Sequence, residues 1–445
     1  MPQALAKNYL LYITVCLLLF VTSTIVHAYS LVDIYAMAKQ SDTDIQIAES
    51  TYFAEAQARP IARANILPQA NISANTTGVR QKIDGSTFNI EGETTNFNDH
   101  GYTINLTQAL YHHDFYVQLR QAKNSVARAK VDLDSAYQDL MIRTSEAYFN
   151  VLSEQDTLSY QQSEKEAIGR QLEQAKKRFE VGVIAITDVK ETQASYDLAV
   201  ANEIDAKVAV ERAKDELEVI IAQRVDTLNP LSERMELVLP EPNDVEDWVY
   251  KALEQNLNLL SSEYTTKIAQ QEIKLRQSRN LPTLDIVASH RDTETGGISG
   301  SREVEESQIG LELNIPIVEG GRTYYRTKEA RYSAEVAQNE YEKVRRVTVQ
   351  STRDAYLNVI AGISRVKALV QALESTEAAA RAAEAGFQVG TRTSVDVLLA
   401  LRETFLANRD YSRARYDYLL SSLRLKQATG VLSIDDLLQI DVWLN

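Results

Sequence analysis

Along most of this chain, apolar residues return every three or four positions. Leu119, Ala122, Val126, Ala129, Leu133, Ala136 and Leu140 form one heptad seam, the spacing that keeps one helix face against a neighbour. Thr327, Ala330, Ala334, Ala337, Tyr341, Val344 and Thr348 form a second, displaced by 208 positions. From Phe115 to Glu180 there is no proline and Gly169 is the only glycine; from Arg322 to Gln388 there is again no proline, and only Gly362 and Gly386. Each stretch predicts a helix about 100 Å long at 1.5 Å per residue, a rod that cannot fold back into a globular core. The alanines in the seams let neighbouring helices approach closely, as a curved wall of helices requires. A plain two-stranded coiled coil would show the same pattern.

Each rod is followed by a glycine in C-cap position, Gly182 or Gly390. Thr187-Asp188 and Thr393-Ser394-Val395-Asp396 then offer N-cap chemistry for a returning helix. The predicted helices run over about 115–181 and 187–223, and again over 322–389 and 394–429, making two antiparallel hairpins with tight tips. Shorter helices are expected at about Leu31 to Asn65 and Val245 to Arg279, with a proline-containing linker from Arg224 to Asp244.

Period two replaces period 3.6 in four short stretches, about 67–77, 102–111, 281–290 and 307–317. Ala70, Ile72 and Ala74 alternate with Asn71, Ser73 and Asn75, and Ile104 and Leu106 with Thr103, Asn105 and Thr107. Leu284, Ile286 and Ala288 face away from Asp285 and Ser289, while Ile309, Leu311, Leu313 and Ile315 face away from Gly310, Glu312 and Asn314. One apolar and one polar face fits a barrel wall between lipid and water, although a sheet lying on a soluble core alternates in the same way. The expected loops are long and polar: Val79 to Gly101, with Asp84-Gly85 and Glu91 to Glu93, and Asp292 to Ser307. Long polar loops on one side favour the barrel. Four strands cannot close one, and their edges would be unpaired in lipid, so several protomers must share it.

The chain is written twice. Glu146-Ala147-Tyr148-Phe149-Asn150-Val151 returns as Asp354-Ala355-Tyr356-Leu357-Asn358-Val359, and Phe179-x-Val181-Gly182 returns as Phe387-x-Val389-Gly390. Leu67-Pro68-Gln69 answers to Leu281-Pro282-Thr283, and Tyr35-x-x-Ala38-x-Gln40 to Tyr250-x-x-Leu253-x-Gln255. The predicted organisation is therefore a first repeat over 29–237, a second over 238–430, and a C-terminal segment over 431–445. The fold class is mainly α with a small β-barrel.

Residues 1–28 read as an export signal: Lys7 is the only charge, Leu10 to Val26 is almost wholly apolar, and Val26-His27-Ala28 offers a small-residue cleavage site. Removing Lys7 changes the net charge from −15 to −16, so nucleic acid is not an expected partner. Cys16, the only cysteine, lies within this segment, which leaves the exported chain without a disulfide or thiolate site. No later apolar run is long enough for a membrane helix, so membrane residence must come from strands. No phosphate-binding glycine loop or nucleophile–base set is present, and His112-His113 is read as solvated or interfacial rather than as metal ligands. No enzyme activity, cofactor or metal is expected. The acidic surplus suits a water-filled lumen that favours cations.

The order of signal, helix, Leu-Pro, strand pair, long helix, Val-Gly turn and returning helix, then all of it again, resembles the TolC family of outer-membrane efflux proteins. The most specific stretches are Arg178 to Val189 and Gly386 to Val397, more similar to members without a lipid anchor. The resemblance implies a homotrimer in the outer membrane with a long periplasmic extension. It combines a 12-stranded barrel, a 12-helix tunnel and a closed iris of hairpin tips. It implies a passive exit duct for efflux or type I secretion, opened by a periplasmic adaptor protein and an inner-membrane efflux pump or ABC transporter. By the same resemblance Arg392 would bond across to Thr187 and Asp188, Asp396 would line the narrowest point, and Val181, Gly182, Val183, Val389, Gly390 and Thr391 would dock the adaptor. Phe387 stands where the family pattern has tyrosine, Lys177 where it has glutamine, and Leu399 where it has a second aspartate. One latch therefore lacks its hydroxyl and one carboxylate ring is missing. Asp188 and Asp396 have helix capping as an alternative role, and the valine-glycine turns could be ordinary C-caps. The rival readings are an envelope coiled-coil scaffold or adhesin, for which duplicated strand pairs serve no purpose, and an adaptor, which would carry one hairpin rather than two.

Overall fold

A computed structural model describes residues 28–83, 93–232, 235–297 and 300–444. The expected export signal up to residue 27 lies outside them, as do Asp84, Gly85 and Glu91. Two hairpins dominate the described chain. In the first, α4 (His113–Glu180) is 68 residues long and returns as α5 (Ile186–Ile221); in the second, α8 (Arg322–Gln388) is 67 residues long and returns as α9 (Ser394–Thr429). The seam positions Ala122, Ala129, Leu133 and Leu140 are buried on α4, as are Ala330, Ala334 and Thr348 on α8, so the heptad face meets neighbouring helices. Gly362 of α8 faces the Tyr418 backbone of α9, where a Cβ would make ordinary van der Waals contact at 3.6 Å.

Among the described residues six shorter helices complete the α portion: α1 (Leu31–Ser41), α2 (Thr43–Ala56), α3 (Ala58–Ala64), α6 (Val245–Gln255), α7 (Leu257–Ser278) and α10 (Ile434–Asp441). The chain has breaks where periodicity reads single helices over 31–65 and 245–279. Asp42 closes α1 in an extended conformation, and its side chain caps α2 by accepting from the Ile45 N–H at 2.9 Å. Asn256 does the same between α6 and α7, accepting from Leu259 N–H at 2.9 Å. Short polar side chains at the two matching repeat positions compete with the helix backbone and win. The further break at Gln57 precedes Pro60, which has no N–H to offer the preceding turn.

The strands β1 (Gln69–Ile83), β2 (Glu93–Tyr111), β3 (Thr283–Thr295) and β4 (Arg302–Asn314) form one antiparallel sheet in the order β1-β2-β3-β4. All four run further than hydropathy alternation indicates, into stretches read from sequence as loops. Beyond Ala74 and Tyr102 the face that carries them turns polar and the other keeps only the scattered Val79, Ile83 and Phe97, so regular alternation disappears, but ladder hydrogen bonds do not need side-chain contrast and continue to the pair Ile83 and Glu93. A bulge between Ala109 and Tyr111 adjusts the β2–β3 register. His112, just past it, sits at an interface: its Nε2 lies 3.0 Å from both Asp285 carboxylate oxygens, and its ring stacks on Phe115 at 4.4 Å.

The main core sits midway along the rods. Leu31, Ile34 and Ala38 of α1, Leu140 to Leu152 of α4, Leu217 and Ile221 of α5, Val359 and Ile363 of α8, Leu419 and Leu423 of α9, and Leu437 of α10 close around it. Tyrosines tie the linkers to this waist: the Tyr148 hydroxyl lies 3.1 and 2.9 Å from the Tyr29 and Asn229 carbonyl oxygens, and Tyr418 bonds Val238 through both N–H and C=O at 2.9 Å. Asp441 accepts from the Leu31 N–H at 2.9 Å, joining the last helix to the first.

Asp42 does more than cap. Arg143 of α4 donates to its two oxygens at 2.9 and 3.0 Å. Burial alone would raise the Asp42 pKa, but the Arg143 and Ile45 donors outweigh it and hold the carboxyl below the ordinary carboxylate value. A depressed folded-state pKa stabilises the fold above the unfolded value, and that stabilisation is lost as pH falls through the lower, folded-state one. Asp42→Ala, which loses cap and charged partner together, should cost about 2 kcal/mol. Asp42→Asn keeps a cap but loses the titration, so thermal unfolding of the mutant followed from neutral to acidic pH should lack the part of the decline that this carboxylate contributes.

Candidate functional site

The two hairpin tips lie at the end of the molecule opposite the sheet, and both turn in the same way. Val181 and Val389 end their helices, and Gly182 (φ 77°) and Gly390 (φ 80°) follow in the left-handed region, where glycine pays no Cβ penalty. Val183 N–H donates to the Arg178 carbonyl at 2.9 Å and Gly182 N–H to Phe179 at 2.9 Å; Thr391 N–H donates to Gly386 at 2.8 Å and Gly390 N–H to Phe387 at 3.3 Å. This double bond pattern is a Schellman cap, which satisfies the last carbonyls of each rod. With their backbones satisfied internally, the turns hold apolar side chains outward: Val181 is 74%, Val183 68% and Val389 76% exposed.

The returning helices start differently. Thr393 caps α9 in a reciprocal box: the Asp396 N–H donates to Thr393 Oγ1 at 3.2 Å, and Thr393 N–H donates to Asp396 Oδ2 at 2.9 Å. The Thr393 donors hold the Asp396 pKa below its ordinary value, with a smaller contribution from Arg392. In the first hairpin the residue before α5 is Ala185, which makes no side-chain cap bond. Thr187 and Asp188 lie inside the first turn and are not its cap, contrary to the sequence reading. Asp188 there favours the helix dipole.

Nearest the tips, an arginine of the first hairpin meets an aromatic ring of the second. The Arg178 guanidinium of α4 lies over the Phe387 ring of α8, 4.3 Å from its centroid, and Arg178 Nη1 reaches the Phe387 carbonyl at 3.5 Å. Phe387 is only 6% exposed, whereas its repeat counterpart Phe179 is 42% exposed. Behind the tips, Leu172, Ala175 and Val189 pack together, as do Ile168, Ala199 and Leu398. Leu399, with Val395 and Leu198, lines a groove of about 410 Å³ that also contains Glu164 and Arg402. Burial raises the Glu164 pKa and Arg402 opposes it.

The model of the outer membrane efflux protein family matches the chain twice, over residues 34–223 and 248–431. The chain belongs to this family. Outer membrane protein TolC of Vibrio cholerae serotype O1 is 34% identical over 95% of both chains, and that of Escherichia coli strain K12 is 32% identical over 94% of this chain and 86% of its own. The solved structure of the Campylobacter jejuni CmeC outer membrane channel superposes with a TM-score of 0.76 at 16% identity, covering 93% of this chain and 90% of its own, a likeness of fold. The protein is accordingly an outer-membrane channel protein whose hairpins form its periplasmic part. Among the described residues no helix is long and apolar enough to cross a membrane and no His, Cys, Asp and Glu cluster could hold a metal.

In this efflux protein the tips gather Val181, Gly182, Val183, Val389, Gly390 and Thr391 at one end, with Asp396 and Leu399 one to two turns behind. No hydrogen bond or ion pair joins Arg392 to Thr187 or Asp188 within the protomer among the described residues, nor does Lys177 meet an acidic partner. The Arg392 stem lies across Gly386 so closely that a Cβ there would come within 2.7 Å of it. Sequence reasoning gave Phe387 a missing hydroxyl and gave Arg178 nothing. An arginine one residue before the counterpart of Phe387 is no signal by itself, because the pair forms only when the hairpins lie side by side.

Cation–π geometry requires the ring but not a hydroxyl. Phe387→Leu should therefore loosen the tips, and Phe387→Tyr should not. Hydrogen exchange of the peptides covering 176–190 and 384–398 should quicken several-fold in the leucine variant and remain as in the native protein in the tyrosine variant.

Proposed function

We propose that three copies of this chain assemble into a passive exit duct, with a 12-stranded barrel in the outer membrane and a 12-helix tunnel in the periplasm. The observation that supports this most is a four-stranded sheet with one apolar face and two unpaired edges, carried on rods about 100 Å long. An adhesin or scaffold needs neither the edges nor the apolar face. The duct carries out no chemistry, needs no cofactor and leaves cargo selection to its pump. Drugs, bile salts, metal ions, siderophores and exported toxins are all possible cargoes.

The exposed valines of the turns suit an adaptor protein that docks between hairpins, bringing an inner-membrane efflux pump or ABC transporter into line with the tunnel. Arg392, unpaired with Thr187 and Asp188 inside its own protomer, would meet them on the neighbouring copy and hold the iris shut. Three Asp396 carboxylates would line the constriction. The capping box engages Oδ2, so Oδ1 is the oxygen that would face the axis. With Leu399 one turn further along, a single carboxylate ring serves the pore.

Planar-bilayer recording of the purified protein separates duct from scaffold: discrete, cation-favouring channel currents are expected, and a preparation without currents overturns the reading. Arg392→Ser should enlarge the resting conductance, and unchanged conductance would place the closing contact elsewhere. Asp396→Asn should weaken block by a trivalent cation added on the periplasmic side by tenfold or more, leaving open-state conductance within about a third of native. Equal block in both proteins would show that Asp396 serves its helix alone.

A further inference from the structure

The paired positions of the sheet sort its side chains into two faces. On the apolar face, β1 carries Ala70, Ile72 and Ala74, β2 carries Leu106, Ile104 and Tyr102, β3 carries Leu284, Ile286 and Ala288, and β4 carries Leu313, Leu311 and Ile309. The same face then turns polar towards the loops. On β1 it continues through Thr76, Gly78, Arg80 and Lys82; on β3 through His290, Asp292 and Glu294; on β4 through Ser307, Glu305 and Glu303. Asp292 stands directly opposite Glu305, and Glu294 directly opposite Glu303. Like charges facing each other across a ladder are destabilising unless a cation flanks them. Among the described residues the one ion pair these carboxylates make is with His100, its Nε2 3.5 Å from Glu294. The free side of both acidic rungs is the open edge of β4.

Resting on the trimeric reading above, the geometry points to the occupant of that edge: β1 of the next copy, paired antiparallel with Glu305 opposite Arg80 and Glu303 opposite Lys82. The same register follows independently from the apolar belt. Ala70, Leu106, Ala288 and Ile309 share one row of the ladder. The last apolar residue is Ala74 on β1 but Ile309, in the row of Ala70, on β4; the belt edge therefore sinks by four residues over three strand steps. Tilted strands crossing a level bilayer require such a drift. One more step brings it to about five or six residues, and only an even value keeps outward side chains outward. A drift of about six, by this extrapolation, sets Leu313 opposite Ile72 and Leu311 opposite Ala74, which continues the belt. It also brings Arg80 and Lys82 to the acidic rungs. A drift of four would set Glu305 opposite Gly78 and use only one of the two cations.

Cys16 is the only native cysteine, so engineered pairs report register cleanly. In full-length protein in outer membranes, Glu305→Cys with Arg80→Cys should give covalent trimers with a short thiol cross-linker, and Glu305→Cys with Gly78→Cys should give at least fivefold less. Native mass spectrometry of the same extracts counts the subunits separately. Trimers that cross-link mainly through Gly78→Cys would overturn the register and leave the trimer standing, whereas monomers would overturn the trimer and the register with it. In a second arm without cysteines, Glu305→Arg should lower the temperature at which trimers dissociate in detergent, and adding Arg80→Glu should recover most of the loss. No recovery would show that the two side chains do not meet.

Discussion

A sheet edge in hydrocarbon has no water to satisfy its backbone, and each unpaired N–H or C=O there costs several kcal/mol. This protein presents two such edges, β1 and β4, on a sheet whose outward face is apolar near the rods and charged towards the loops. Because four strands cannot curve far enough to meet each other, the edges have to be covered by other copies. That requirement propagates down the molecule. Wherever the strands of neighbouring copies join, the rods hanging from them are brought side by side, and the exposed apolar residues of the helices, among them Leu198 and Val208 on α5 and Tyr332 and Val336 on α8, are placed to become contacts between copies.

Between membrane and tips, stiffness comes from two sources. Continuous backbone hydrogen bonding, uninterrupted by proline, carries α4 and α8 unbroken over about 100 Å. The buried waist grips them at mid-length, where Tyr148, Tyr418 and Asp441 bind the connecting segments. Placing most of the large buried side chains at the waist leaves the lower halves of the hairpins held by small local clusters and by alanine contacts. Regions with few buried contacts open at lower cost than the core, which suits a structure that moves at its tips and stays fixed at its centre.

At the tips the backbone is self-sufficient and the side chains are not. A Schellman cap closes each turn, pairing the Arg178 and Phe179 carbonyls in one and the Gly386 and Phe387 carbonyls in the other, while Val181, Val183 and Val389 stay exposed. Lateral cohesion near the tips within a protomer comes from Arg178 on Phe387, backed by the cluster of Ile168, Ala199 and Leu398. Because Phe387 is held by the face of its ring, the absence of a tyrosine hydroxyl does not leave this position without a partner; it changes the kind of partner from an acceptor to a cation.

Much was legible in the sequence. The duplication, the rods, the glycine turns, the Thr393–Asp396 cap and the inward and outward faces of the strands each depend on residues close together along the chain, whose spacing records helix or strand geometry directly. The kinks at Asp42 and Asn256 were local as well, but an interior polar residue looks alike whether it caps or merely faces water. What tertiary structure decided were pairings between distant segments: Arg143 with Asp42, His112 with Asp285, Arg178 with Phe387, and the extension of each strand beyond its apolar stretch. Spacing along the chain carries no information about which rod lies beside which, and ladder hydrogen bonds between backbones leave no trace in the side chains once the regular apolar alternation ends.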